Sequence, residues 1–328
     1  FHAHQVYGAD SLSVMRSGAR WLTLVSLGWA LARWRRLRPR SLLDNAPLEK
    51  LLAKMVPLMR LPRLIQKGHL TALAVTASSY SSGEHVTFYE SAQAVQPWVR
   101  SQRKATRDRI THEHLLASSA IPFVFPAKGI TIDGHTEYFG DGSMRQSAPI
   151  AAAIHLGAER VLVIGAGRMH EPRGDSTAPP SPSYHAIAPK AGHALSNIFL
   201  DALSVDVERV QRINQTLSLI PEEKRTHSAL RPVELLVIAP SQRLDAIAAR
   251  HVGDLPGPVR TMLGALGVTS NMADVRGAAL ASYLLFEQGY TQELMALGRA
   301  DTLARRADVC RFFGWKDTGA ALRTRLPT

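Results

Sequence analysis

Residues 137–167 read EYFGDGSMRQSAPIAAAIHLGAERVLVIGAG. An aromatic, strand-like end runs into the Asp141-Gly142 pair. A helical stretch then opens at Pro149 and closes at Gly157, and a β-branched run of buried-strand type follows. Strand, helix, strand is the rhythm of a parallel sheet covered by helices, so this stretch places the chain in the α/β class. Asp141 itself has two readings. Asp-Gly is a common turn signal, because glycine tolerates positive φ and aspartate bonds its own backbone. A carboxylate on a tight turn is also a way to present a base. Taken alone, the dipeptide favours the turn.

Upstream, HLTALAVTASSY (69–80) and HVTFYES (85–91) predict two strands joined by a polar, Gly-containing turn. THEHLLASSA predicts a short helix with Thr111 as N-cap, and Pro122 and Pro126 predict extended backbone around Phe123 and Phe125. GITI and EYF form a predicted strand pair around Asp133-Gly134. Residues 18–36 read as a helix with an apolar body and a basic end, where Arg33, Arg35, Arg36, Arg38 and Arg40 cluster. Asp44 reads as the N-cap of the next helix, with Pro47 in its first turn.

Downstream, residues 171–189 are rich in Pro and Ser and read as a mobile surface loop. A long helix (190–218), the strand VELLVIAP (233–240) and a helical C-terminal region (about 255–328) follow. Because a buried-type strand recurs after the Pro/Ser-rich segment, one domain with a surface excursion is favoured over two.

The bulk properties are those of a globular chain. Its 328 residues are 45% hydrophobic and 20% charged, near the average for folded domains. A net charge of +12 and a pI near 10.2 imply attraction to anionic partners, whether nucleic acid, an acidic membrane face or anionic lipid. No apolar run approaches the roughly 20 residues of a spanning helix. The single cysteine, Cys310, excludes an internal disulfide and a Cys-based metal motif and fits a reducing compartment.

Metal and nucleotide motifs are weak. His112 and His114 in HEH are two residues apart, do not share a helix face, and do not make the HExxH zinc pattern. Gly165 and Gly167 lack the third glycine of a dinucleotide loop and read as a strand exit. No G-x-S-x-G elbow occurs. GDSTA at 174–178 is a chance approximation inside the Pro/Ser-rich loop, and the RSGAR around Ser17 lacks the first glycine.

Five segments together carry a resemblance: SLLDNAPLEKLL (41–52), LTALAVTASSYSSGEHVTFYE (70–90), LLASSAIPFVFPA (115–127), residues 137–167, and LASYLLFEQGY (280–290). In content, order and spacing the chain resembles the bacterial patatin-like phospholipases. The resemblance implies a three-layer α/β/α sandwich with a mostly parallel central sheet and catalysis by a Ser-Asp dyad. Asp141 with Gly142 matches the family's D-G-[GA] motif, and Ser143 stands where glycine or alanine is usual. The family's elbow serine and oxyanion glycines would precede Phe1. Since the chain opens on FHAHQVYGAD without methionine, it is expected to start downstream of the elbow and to lack the first strand.

The implied function is lipid acyl hydrolysis through an acyl-serine intermediate, with Asp141 as base, a phospholipid or other acyl-ester lipid as substrate, and no metal or organic cofactor. The 18–40 helix has two readings: packed on the sheet with a solvated basic end, which is favoured, or lying at a lipid surface with Trp21, Trp29 and Trp34 at the interface and its arginines on anionic phosphates. A cytoplasmic or peripheral membrane location is expected. No nucleic-acid module accompanies the charge. The rival reading is a non-catalytic lipid- or membrane-surface-binding protein on the same fold.

Overall fold

The computed structural model describes residues 2–19, 41–100, 102–146, 148–167, 187–225, 228, 230–265 and 275–316. The basic helix end (Arg33 to Arg40), most of the 171–189 segment and Ser176 lie outside these residues. A single turn at Ala3–Gln5 precedes helix α1 (11–19), whose first turn is closed by the Asp10 carboxylate accepting from Ser13 N at 3.0 Å. Helix α2 (Ala46–Met55) starts one residue later than expected. Its N-cap is Asn45, while Asp44 accepts from Ala46 N at 3.1 Å. Helix α3 (Leu61–Gln66) leads into the sheet.

Strands β1 (Ala72–Ser79) and β2 (His85–Ser91) form the expected antiparallel hairpin. Its turn is held by Ser79 Oγ, which accepts from the amides of Ser81 and Ser82 and donates to Glu137 at 2.7 Å. Strands β3 (Val99–Arg100) and β4 (Arg103–Arg107) follow, then helix α4 (His112–Ser118) with Thr111 as its N-cap. Strands β5 (Lys128–Ile132) and β6 (His135–Asp141) pair around Asp133 and Gly134, whose φ values are 50° and 82°. Two consecutive left-handed residues are what a two-residue type I′ hairpin demands.

The six strands lie in the order β3-β4-β2-β1-β6-β5 and are flanked by helices, an α/β arrangement. The expectation of a mostly parallel sheet is corrected: within it only β2 and β4 run parallel, the other four pairings being antiparallel. Short turns such as 80–84 and 133–134 join only antiparallel neighbours, whereas parallel pairing needs a long crossover.

The strand-helix-strand unit of 137–167 is also corrected. Helix α5 (Ala151–His155) stops at Gly157 as expected, but β7 (Arg160–Ile164) does not join β6. After helices α6 (Ile187–Ser218) and α7 (Glu222–Arg225), strand β8 (Glu234–Ile238) pairs with β7 in parallel, forming a separate two-stranded sheet. Residues 187–189, expected in the loop, belong to α6. The chain ends in α8 (Leu244–His251), α9 (Gly257–Ala265), α10 (Val275–Ser282), α11 (Gln288–Ala304) and α12 (Arg306–Phe313). Among the described residues no helix is long and apolar enough to cross a membrane.

Three apolar clusters hold these elements. One joins Val6, Tyr7 and Val14 to Val124, Phe125 and the C-terminal helices through Ile247, Leu263 and Leu284. Tyr7 ties the two chain regions directly, donating to the Leu284 carbonyl at 2.8 Å. A second cluster covers the large sheet with Val75, Ala77, Val86, Phe88 and Phe139 under Ala117 and Ile65, and the third joins Ile150, Val161, Val207 and Val210. Phe88 is fully buried, with edge contacts to His114 (centroids 4.5 Å) and Phe139 (5.4 Å). Phe88→Ala is therefore expected to cost about 3–5 kcal/mol, seen as a lower urea midpoint at unchanged slope.

Candidate active site at the end of strand β6

Strand β6 brings Asp141 beside the C-terminal half of β1, where it pairs with Ala77. Its amide donates to the Ala120 carbonyl at 2.9 Å, so the 120–125 loop fixes the backbone at this point. That loop is a turn rather than the extended segment expected around Phe123. The amides of Val124 and Phe125 both donate to the Ile121 carbonyl, and Leu42 and Leu43 donate to the Phe123 and Val124 carbonyls. Burying Val124 and Phe125 turns Phe123 outward, 74% exposed at φ 65°. A left-handed aromatic residue is held there by its surroundings at a cost.

Asp141 leaves the strand at φ −46°, ψ 125°, and Gly142 is not among the glycines with positive φ. The Asp141-Gly142 pair is thus not the kind of turn that Asp133-Gly134 makes. Gly142 is needed for room. A Cβ there would lie 2.2 Å from the Thr76 carbonyl oxygen and 2.6 Å from its carbon, both backbone atoms of β1. Such an approach is closed to every side chain.

Ser143 completes the turn. Its amide donates to Asp141 Oδ1 at 2.9 Å, and its hydroxyl donates to the same oxygen. Both bonds fall on Oδ1, so the carboxylate is clamped through one oxygen. Burial raises the Asp141 pKa above the usual carboxylate range, and the two Ser143 bonds pull it only partly back. The result is a fixed, desolvated carboxylate of raised basicity.

Tyr80 and His85 flank it. A Cβ on Gly140 would lie 2.3 Å from the Tyr80 hydroxyl, and burial followed by the Asp141 charge raises the Tyr80 pKa. His85 is buried and pushed down to about 4 by desolvation and then by Arg103, with a hydrogen bond to the Gly142 backbone acting the other way. Both groups are therefore neutral near pH 7. Farther along, buried Asp206 of α6 accepts from Ile150 N at 2.9 Å and from Arg209 at 3.1 Å, anchoring the segment that leaves the turn.

Asp141, Gly142 and Ser143, the site residues read from sequence, therefore form one turn. Tyr80 and His85 were missed, because SSYSSGEH carries only a hairpin signal and the β1–β6 register is invisible in it. His112 and His114 diverge. The first ring contacts the Val56 carbonyl at 2.9 Å, and the second is buried against Phe88. Ser17 lies on α1. Among the described residues no cluster of His, Cys, Asp and Glu has a metal-holding arrangement.

The fold and site together define an α/β protein presenting a desolvated carboxylate on a glycine-tight strand exit. In comparisons with known proteins, the family model of patatin-like phospholipases matches residues 8–154, so this part of the chain, which carries Asp141, is similar to that family. The match ends before β7, so the resemblance noted at 280–290 falls outside it. Neither the comparison with curated proteins nor that with solved structures gave a match.

Two outcomes follow from this geometry. Gly142→Ala forces its Cβ into the β1 backbone and is expected to destabilise the chain by about 3 kcal/mol or more, measured by denaturant unfolding. For Asp141, a folded-state pKa raised above the unfolded value means that its contribution is fully present below the unfolded pKa and is lost as pH rises through the folded one. Asp141→Asn is accordingly expected to raise the melting temperature at pH 7. The difference from wild type should vanish in acid, as thermal melts across pH would show.

Proposed function

We propose that this chain is the Asp-bearing part of a serine lipid acyl hydrolase, in which Asp141 is the base of a Ser-Asp dyad. The observation that carries the reading is the Asp141 carboxylate itself, partly buried, raised in basicity and clamped through Oδ1 by Ser143. The patatin-like character of residues 8–154 supports an acyl-ester lipid, such as a phospholipid, as substrate.

The chemistry follows from the clamp. Oδ2, not engaged by Ser143, faces the incoming serine hydroxyl and accepts its proton while the serine oxygen attacks the acyl carbonyl. The tetrahedral intermediate collapses, the alcohol of the lipid leaves with the proton returned by Asp141, and an acyl-serine remains. Water then gives its proton to Asp141 and attacks the acyl-serine, releasing the fatty acid and restoring the serine. No elbow serine occurs within residues 1–328, so the proposed nucleophile and its oxyanion donors are supplied by sequence outside them. The cluster from Arg33 to Arg40 would hold the enzyme at anionic lipid.

The test uses the product of the complete open reading frame that contains this chain. Asp141→Asn should lower kcat for a phospholipid or p-nitrophenyl ester by at least about 10²-fold while the protein remains folded. A fluorophosphonate probe should label a serine outside residues 1–328. Full activity of the Asp141→Asn enzyme would overturn the role of Asp141, and stoichiometric labelling of Ser17 or Ser176 would overturn the placement of the nucleophile. Lipid binding by a wild-type protein that neither hydrolyses esters nor takes the label would favour a lipid-binding protein in which Asp141 is only a turn residue.

A further inference from the structure

At the other end of the large sheet lies a second feature, independent of the role of Asp141. Strands β2 and β4 are its parallel pair, and both end on one open groove of about 900 Å³, lined by Arg63, Arg107, Arg109, Glu90 and Asp108 with Met59 at its rim. Ligands in open α/β sheets collect outside the carboxyl ends of parallel strands, because loops and helix ends converge there. The groove is remote from Asp141. Asp141 lies level with Ala77 of β1, whereas Glu90 lies level with Leu73, four residues or roughly 13 Å along the strand.

The charges in the groove are unevenly engaged. Glu90 accepts from Ile110 N at 3.2 Å, and Asp108 accepts from Arg109 N at 2.7 Å while its other oxygen faces His114 Nε2 at 3.5 Å. Both carboxylates thus serve the chain's own donors. The three guanidinium groups are exposed and none is ion-paired among the described residues. Arg107 donates one bond to the Ser91 carbonyl at 3.0 Å, and Arg109 leans on Met59 Sδ at 3.5 Å. Three such groups around one groove supply forked donors in several directions, which suits a tetrahedral dianion better than a planar monoanion. The net charge of +12 favours its approach.

We propose that this groove is a phosphate-binding site, with Arg63, Arg107 and Arg109 as donors and Met59 against the organic part of a phosphate ester. The shared chemistry is a phosphate group, carried either by a soluble ester or by a lipid head group.

The experiment is calorimetric titration of the product of the complete open reading frame with inorganic phosphate and with glycerol 3-phosphate, using acetate as the planar comparison. Phosphate binding that exceeds acetate binding and weakens with salt is expected. Arg63→Ala/Arg109→Ala, which alters two exposed side chains, should lose at least about tenfold in affinity with an unchanged melting temperature. Arg63→Ala alone should weaken binding by a smaller factor, giving a second reading should the double variant unfold. Absence of phosphate binding, equal binding of acetate, or equal affinity in these variants would overturn the site. Phosphatidylglycerol vesicles set against phosphatidylcholine vesicles identify the source. Vesicle binding lost in step with phosphate binding marks a lipid head group, and vesicle binding unaffected by the variants marks a soluble ester. Asp141→Asn should leave phosphate binding unchanged, which separates this site from the hydrolase reading.

Discussion

The structure around Asp141 depends on how closely β6 leaves the sheet against β1. The Gly142 backbone passes the Thr76 carbonyl at a separation that admits no Cβ. This close passage lets Asp141 pair with Ala77, the innermost of the three β1 residues that β6 reaches. There Asp141 is partly buried, its amide is tied to Ala120, and its carboxylate is held by the next residue but one. A side chain at 142 would push β6 away from β1, and the carboxylate would return to water. The electrostatic character of the site is a consequence of backbone packing.

Burial then acts on Asp141, Tyr80 and His85 in the same sense, disfavouring the charged form. Asp141 and Tyr80 are raised and His85 is lowered. Among the described residues no cation offsets the effect of burial on Asp141, and only the Ser143 bonds pull its pKa back. The anchors lie outside this immediate circle. Asp206 on α6 is buried, but it accepts a backbone amide and an arginine, and so holds the chain in place. The two aspartates differ in their partners: Asp141 is held by the amide and hydroxyl of Ser143, and Asp206 by a backbone amide and an arginine.

Much of the local structure was legible in the sequence because it rests on local rules. The hairpin of β1 and β2, the Thr111-capped helix α4, the β5–β6 turn at Asp133-Gly134 and the stop of α5 at Gly157 all follow from periodicity and from the residues that glycine and caps require. Where local rules competed with packing, they failed. Pro122 and Pro126 suggested extended backbone, but the burial of Val124 and Phe125 imposes a turn and sends Phe123 into solvent. The alternation of strand and helix through 137–167 suggested one parallel sheet, yet β7 found its partner in β8, across a 32-residue helix. Strand pairing at that sequence distance leaves no mark in periodicity.

The sequence by itself determined the class of the fold and the identity of Asp141, Gly142 and Ser143, because a strand, a tight exit and a short polar turn are written in neighbouring residues. Only the tertiary structure decided what those residues are. Asp133-Gly134 and Asp141-Gly142 are the same dipeptide after similar strands, and the first is a left-handed hairpin turn while the second is a close crossing of two backbones. The distinction lies in the β1–β6 register and in the neighbours it brings, Thr76, Tyr80 and His85. These contacts span some sixty residues of chain, and their geometry exists only once the sheet has formed.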